Sequence, residues 1–149
     1  MSAVLYDSNV WVALIFSAHP HHGFAIKTFG GASEENPVSF CRATQQSFLR
    51  LATTPALLRE YRADGFTNRD AVDLHATLIH LPNVRLLPEP PDLEILWHQF
   101  AALPTASPKV WMDAYLAAFA IGHKIELVTF DSDFKRFVKD GLKLKLLIP

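Results

Sequence analysis

Cysteine is almost missing from this chain. Cys41 stands alone, so no internal disulfide can form, and the composition suits a reducing cytosol. An excess of one charge is lacking as well. The 14 basic and 15 acidic residues nearly cancel, which removes any global basic field aimed at nucleic acid and leaves only local patches. Long hydrophobic runs are absent. Val10 to Phe16 is apolar but too short to span a bilayer, and Asp7 precedes it where a secretory leader would carry Lys or Arg. The expectation is a cytoplasmic protein with no membrane partner. No GxxxxGK[ST] loop occurs, which argues against nucleotide hydrolysis of that type. No Ser/His/Asp or Cys/His arrangement is evident, and there is neither an internal repeat nor a low-complexity tract. What the chain does have is apolar content: half of its 149 residues, enough for one domain over 1–149 with a real core.

That apolar content is punctuated regularly. Ser2 to Tyr6 reads as a buried strand, and Ser8 or Asn9 can cap a helix over Val10 to Phe16. The His19-Pro20-His21-His22 segment breaks that helix, and a short helix follows from Gly23 to Gly30. Pro37 to Cys41 is a second strand, with Pro at its first position where a missing donor is tolerated. Ala43 to Ala52 follows as a helix. The stretch from Pro55 to Gly65 is ambiguous between a short helix and a loop. Thr67 with Asp70 resembles a capping box opening a helix to Leu81. Asn83 to Leu87 is a third strand, Pro88 to Pro91 a stiff connector, and Leu93 to Leu103 a helix. The run from Lys109 to Ile121 is apolar on nearly every side, as a helix buried in a core should be. Ile125 to Phe130 is a fourth strand, Asp131 opens a helix through Val138, and Leu144 to Ile148 closes the chain as a fifth strand. Strands alternating with helices predict a three-layer α/β/α fold around a central, mostly parallel five-stranded sheet.

The acids gain meaning from that pattern. Asp7 and Asp131 each follow a strand directly, so both lie at the carboxyl edge of the sheet, and right-handed crossovers keep such edges together. Asp113 sits inside the apolar helix, where Met112, Ala114, Leu116 and Ala117 surround it and Lys109 is the nearest base. The helix from Asp113 to Gly122 is about 14 Å long. The strand it feeds rises by roughly 16 Å. Asp113 is therefore expected level with Asp131, at the edge where open parallel sheets bind ligands. Three converging carboxylates without matching bases repel one another, and a divalent cation relieves that repulsion. Oxygen ligands suit Mg²⁺ or Mn²⁺. Asp7 and Asp131 also have a structural reading, as caps of the helices they precede. Asp133 reads equally as a further ligand and as a solvated first-turn acid favoured by the helix dipole. Glu34 and Glu35 precede a strand and belong to the opposite edge.

Four blocks, LYDSNVWVAL, FCRATQQSFLRLAT, KVWMDAYLAAFA and LVTFDSDF, in this order and spacing, resemble the PIN-domain ribonucleases, and most closely VapC-type toxins of bacterial toxin–antitoxin pairs. The resemblance covers essentially the whole chain. It implies a Mg²⁺-dependent endoribonuclease with an acidic cluster, usually a homodimer, held inactive by a cognate antitoxin protein. The family's acids fall on Asp7, Asp113 and Asp131, and Asp133 matches an additional acid of some members. One position departs. The family often has Glu in the first turn of the helix after the second strand, and Gln45 stands there. Its carbonyl can hold a metal-bound water, yet it adds no charge.

The chemistry expected is metal-assisted phosphodiester hydrolysis, with Asp7 and Asp113 as direct ligands and Asp131 as a ligand or acceptor for bound water. Arg42 and Arg50, about two helical turns apart, and Lys109 with Trp111 are the candidates for holding RNA. Arg50 has a competing reading as a salt-bridge or helix-end residue, and Trp111 as core. The histidines 19, 21 and 22 have metal-like spacing but no further His or Cys nearby, and read as a polar loop; Cys41 reads as an inert buried thiol. Two other classes remain open: an aspartate phosphotransferase with Asp7 as nucleophile, and a non-catalytic PIN-like binding module with a weakened metal site.

Overall fold

A computed structural model describes residues 2–148. Its strands are β1 (Val4–Tyr6), β2 (Val38–Phe40), β3 (Val84–Leu86), β4 (Glu126–Thr129) and β5 (Lys143–Leu146). They form one sheet in the order β3-β2-β1-β4-β5, and every pairing is parallel. The interior strands are apolar because both of their faces are covered. Alternation then assigns side chains to two cores. Tyr6 and Val128 point into one core, and Leu5 and Leu127 into the other. The edge strand β5 instead alternates Lys143, Leu144, Lys145, Leu146, with both lysines exposed, and charges on an edge oppose pairing with foreign strands. This corrects the expected strand Leu144 to Ile148: the period-two pattern begins at Lys143, and Ile148 is exposed beyond the strand end.

The helices are α1 (Ser8–Ile15), α2 (His22–Phe29), α3 (Arg42–Ala52), α4 (Pro55–Glu60), α5 (Asn68–Ile79), α6 (Leu93–Ala101) and α7 (Val110–His123). The ambiguous stretch after Pro55 resolves as α4, with Pro in its first turn where its missing N–H costs nothing. Thr67 and Asp70 form the expected capping box, Thr67 N–H to Asp70 Oδ2 at 2.8 Å and Asp70 N–H to Thr67 Oγ1 at 3.2 Å. The segment after β4 is a 3₁₀ helix, Ser132–Asp140, tighter than the expected helix. Another correction concerns α1. Its cap is Asp7, not Ser8 or Asn9.

One core joins α1, α2, α3 and α5 to the sheet, centred on Trp11 stacked at 3.9 Å and 6° on Phe40, which also meets Phe48. The other holds α6, α7 and the 3₁₀ helix through Phe100, Phe119, Phe134 and Phe137. In α7 the buried residues Ala114, Ala117, Ala118 and Ala120 let the helix lie close to its neighbours. The 88–91 connector is pinned to α7 at two places, to its far end by His123 Nε2 at 2.7 Å from the Pro88 carbonyl and to its second turn by Tyr115 O–H donating to Glu89 at 2.8 Å.

Gly122 lies at that pinned contact, where an added Cβ would stand 2.6 Å from Pro90 Cγ. Alanine would gain about 1 kcal/mol of helix propensity. Overpacking against a rigid proline ring costs about 1–3 kcal/mol, and the connector cannot move freely to relieve it. Gly122→Ala is therefore expected to lower the melting temperature by about 4 °C. A rise on thermal melting would contradict this packing.

Candidate active site

The chain leaves β1 towards β2 on one side of the sheet, and leaves β4 towards β5 on the other. That reversal opens a crevice at the carboxyl ends of β1 and β4. Register brings the two ends level: Tyr6 pairs with Val128, and the Asp7 N–H donates to the Val128 carbonyl at 2.9 Å. Asp7 thus lies beside Thr129, two residues before Asp131.

Thr129 is the centre of this junction. Its hydroxyl donates to Asp7 Oδ2 at 2.8 Å, and accepts from Asn9 Nδ2 at 3.2 Å and from the Asp131 N–H at 3.0 Å. One donor and two acceptor positions are all a hydroxyl has, so this buried group is fully satisfied. Asn9 Oδ1 in turn accepts from the Phe130 N–H at 3.3 Å. Asp7 Oδ1 accepts from the Ser8 N–H at 2.7 Å, and Asp131 Oδ1 accepts from the Asp133 N–H at 2.9 Å. The capping readings of Asp7 and Asp131 are thus real; Asp131 also joins Asp113 and Asp133 in one cluster, and Asp7 lies beside it, linked to Asp131 through Thr129. Thr129 does not stand out in the sequence, and Asn9 is suggested there only as a helix cap. Their signals were a lone hydroxyl in an otherwise apolar strand and an amide two residues beyond Asp7.

Asp113 enters from the first turn of α7. Its carboxylate and those of Asp131 and Asp133 offer oxygens that all lie within 4.8 Å of one another. Burial pushes the Asp113 carboxyl up to about 6, with the charges of Asp131 and Asp7 adding to the rise, and Arg136 acting against it. The Asp7 carboxyl is raised by burial too, against the hydrogen bonds from Thr129 and Ser8. Arg136, from the 3₁₀ helix, is the cation the sequence did not reveal. It donates through Nε to the Asp133 carbonyl at 3.3 Å and lies over the Phe137 ring. Among the described residues no Lys or Arg forms an ion pair with the four aspartates; the ion pair found joins His98 to Glu94 at 3.6 Å. Anionic oxygens gathered without a paired cation are the donor set a hard divalent ion takes.

The other expected residues divide. Asp133 joins the cluster, on its exposed side. Gln45 turns its oxygen to the Arg42 guanidinium on the exposed side of α3. Arg42, Arg50 and Lys109 are exposed. Trp111 is 51% exposed rather than core, with its carbonyl accepting from Trp97 Nε1 at 2.9 Å. Glu35 lies at the opposite edge, its carbonyl 3.4 Å from the Ser2 N–H. Cys41 is fully buried, and burial raises its thiol, as an inert cysteine requires.

Comparison with known proteins places this geometry. The PIN domain family matches residues 4–140. Ribonuclease VapC41 of Mycobacterium tuberculosis is 41% identical over 145 residues, covering 97% of this chain and 98% of the relative. Ribonuclease VapC31 of the same organism is 34% identical over 136 residues, covering 89% and 92%. Two solved structures share the fold. They are M. tuberculosis VapC20, described as a sarcin–ricin loop cleaving toxin (TM-score 0.63, 21% identity, 98% and 99% covered), and VapBC-1 from nontypeable Haemophilus influenzae (TM-score 0.65, 11% identity, 97% and 97% covered).

The Asp113 shift has a testable sign. Its folded value, about 6, exceeds the ordinary 3.8, so the folded state binds the proton more tightly between them. Stability from this group therefore increases as pH falls through about 6 and levels off below 3.8. His19 and His75 are shifted down by burial and act in the opposite direction. In chelator, subtracting the pH profile of Asp113→Asn from that of the parent isolates the aspartate. The parent is expected to gain more in melting temperature between pH 7.5 and pH 5, on the order of a few degrees. Superimposable profiles would contradict the assignment.

Proposed function

The chain belongs to the PIN-domain family, and we propose that it is a metal-dependent endoribonuclease, a single catalytic domain acting as the toxin of a toxin–antitoxin pair. The observation that carries this reading is the meeting of Asp113, Asp131 and Asp133 within 4.8 Å beside the buried Asp7, with no paired cation among the described residues. The ribonuclease names of relatives covering nearly the whole chain support it.

A bound Mg²⁺ or Mn²⁺ supplies an activated water and neutralises charge on the phosphate and the leaving oxygen. The protein's part is to hold the oxygens. Asp7 and Asp113 act as direct ligands, Asp131 as a ligand or acceptor for water, and Asp133 as a further ligand from the exposed side. Asp7 Oδ2 accepts one hydrogen bond, from Thr129, and keeps a second lone pair for a cation, whereas Oδ1 accepts from both the N–H and the hydroxyl of Ser8. Thr129 and Asn9 orient the acids on β1 and β4. Gln45 reaches the site only through water, because its oxygen is engaged by Arg42. Arg42, Arg50, Lys109 and Trp111 are exposed, and in this reading they hold RNA, the cations on phosphate and the indole on a base. The same reading brings a cognate antitoxin protein, a homodimer and a cytoplasmic setting. No helix among the described residues is long and apolar enough to cross a membrane. Exposed Trp111, Met112 and Ile95 are apolar surface that partners would cover. A second reading, a non-catalytic PIN-like module, draws on Gln45, which leaves the site one charge short of the family's pattern.

One experiment decides between them. The purified protein is incubated with total RNA with and without Mg²⁺ or Mn²⁺, and the cut ends are mapped. Cleavage is expected only with the ion, and Asp113→Asn is expected to lose on the order of 100-fold or more in rate while staying folded. Thr129→Val keeps the volume and removes the hydroxyl, and should lose about 10- to 100-fold, as groups orienting metal ligands do. No cleavage by the parent, or full cleavage by Asp113→Asn, would overturn the ribonuclease assignment.

A further inference from the structure

The histidines of the segment between α1 and α2 have no part in the function above, and the structure gives them different tasks. His22 fastens the start of α2 to α1, with Nδ1 2.9 Å from the Ala13 carbonyl. His19 fastens the turn to α4's end. Its ring centroid is 4.8 Å from that of Tyr61, and its Nδ1 accepts from the His21 N–H at 3.0 Å. His21 is held through its backbone, and its ring, which meets the His19 ring at 5.6 Å and 51°, makes no hydrogen bond of its own among the described residues. That ring stacks on Phe130, with centroids 5.0 Å apart and planes at 23°. Phe130 is the residue directly before Asp131. Its N–H is tied to Asn9 Oδ1, so the hydrogen bonds that hold the acids also hold this ring. Phe24, 38% exposed, meets the edge of Phe130 at 6.3 Å and extends the surface.

We propose that His21, Phe130 and Phe24 form a stacking platform for an unpaired nucleobase next to the scissile phosphodiester, an inference that rests on the ribonuclease reading. Four aspartates repel a phosphate chain wherever no ion offsets them, so an attraction that does not depend on opposite charge adds to the phosphate contacts of Arg42, Arg50 and Lys109. Stacking of a base on a ring is such an attraction, and every base has a π-face to offer. The imidazole adds N–H donor capacity beside the phosphate. A base inside a duplex has no free face, so the platform selects unpaired RNA. His21 is a positioning residue here; the bond-breaking step stays with the acids.

Binding by the Asp113→Asn protein tests this without cleavage. The probe is a 12-nucleotide fluorescein-labelled RNA of mixed sequence, alone or annealed to its complement, followed by fluorescence anisotropy in Mg²⁺. Adding His21→Ala is expected to weaken binding of the single strand by about tenfold, the scale of one lost base stack, and to leave the duplex unchanged. His21→Phe keeps a ring and should bind like the parent background. His21→Lys keeps a donor without a ring and should bind like His21→Ala. Unchanged single-strand binding in a folded His21→Ala protein, or rescue by Lys and not Phe, overturns the platform. If the unaltered protein cuts RNA and these variants are neutral, only the platform falls; if it neither binds nor cuts RNA, the ribonuclease reading falls beneath it.

Discussion

Repulsion among carboxylates held close together is the constraint around which this molecule is arranged. At an effective dielectric near 20, two like charges about 5 Å apart cost on the order of 3 kcal/mol, and less where water screens them, as at the exposed Asp133. A flexible chain would relieve that cost by moving its acids apart. This one does not, because each acid is fixed by something else. Asp7 and Asp131 are bound to one hydroxyl, that of Thr129. Asp113 is carried by a helix whose alanines pack it into the core. The Asp113 carboxyl rises to about 6, first through burial, with the charges of Asp131 and Asp7 adding to the rise.

The core is what tolerates it. Trp11 stacked on Phe40 ties α1 to β2, and Asp7 caps α1, so the first acid is set by an aromatic contact deep in one layer. The opposite layer sets the second, since α7 lies among Leu5, Leu127, Phe134 and Phe137. The parallel pairing of β1 with β4 then fixes the two layers against each other at the edge where the acids meet. Burial of this kind stabilises by about 1.5–3 kcal/mol per large side chain, enough in sum to outweigh a few repulsive pairs.

Much of this was legible in the order of residues, for identifiable reasons. An acid immediately after an apolar strand has to stand at the carboxyl edge, which located Asp7 and Asp131. An acid within an apolar helix has no ordinary reason to be there, which singled out Asp113. What escaped notice depends on pairs distant in sequence. Thr129 and Asn9 are 120 residues apart, and nothing local to either reveals the hydrogen bond between them. Arg136 looks like one more exposed base until the 3₁₀ helix brings its charge near Asp113. Trp111 shows the limit of reading a helix that is apolar all round, because the pattern does not tell which end emerges into solvent. In β5 the apolar run points to Leu144–Ile148, while the alternation of Lys143 and Lys145 with leucine marks the strand itself.

The central claim is that these aspartates form an ion site. Titrating Mn²⁺ into the folded protein, with the electron paramagnetic resonance signal of the free ion as readout, tests that claim without RNA, partner or activity. The account predicts saturable disappearance of the free-ion signal, competed by Mg²⁺ and lost when Asp113 and Asp131 are both changed to Asn. A free-ion signal that follows the added Mn²⁺ throughout, or binding that survives in the folded double variant, would contradict it.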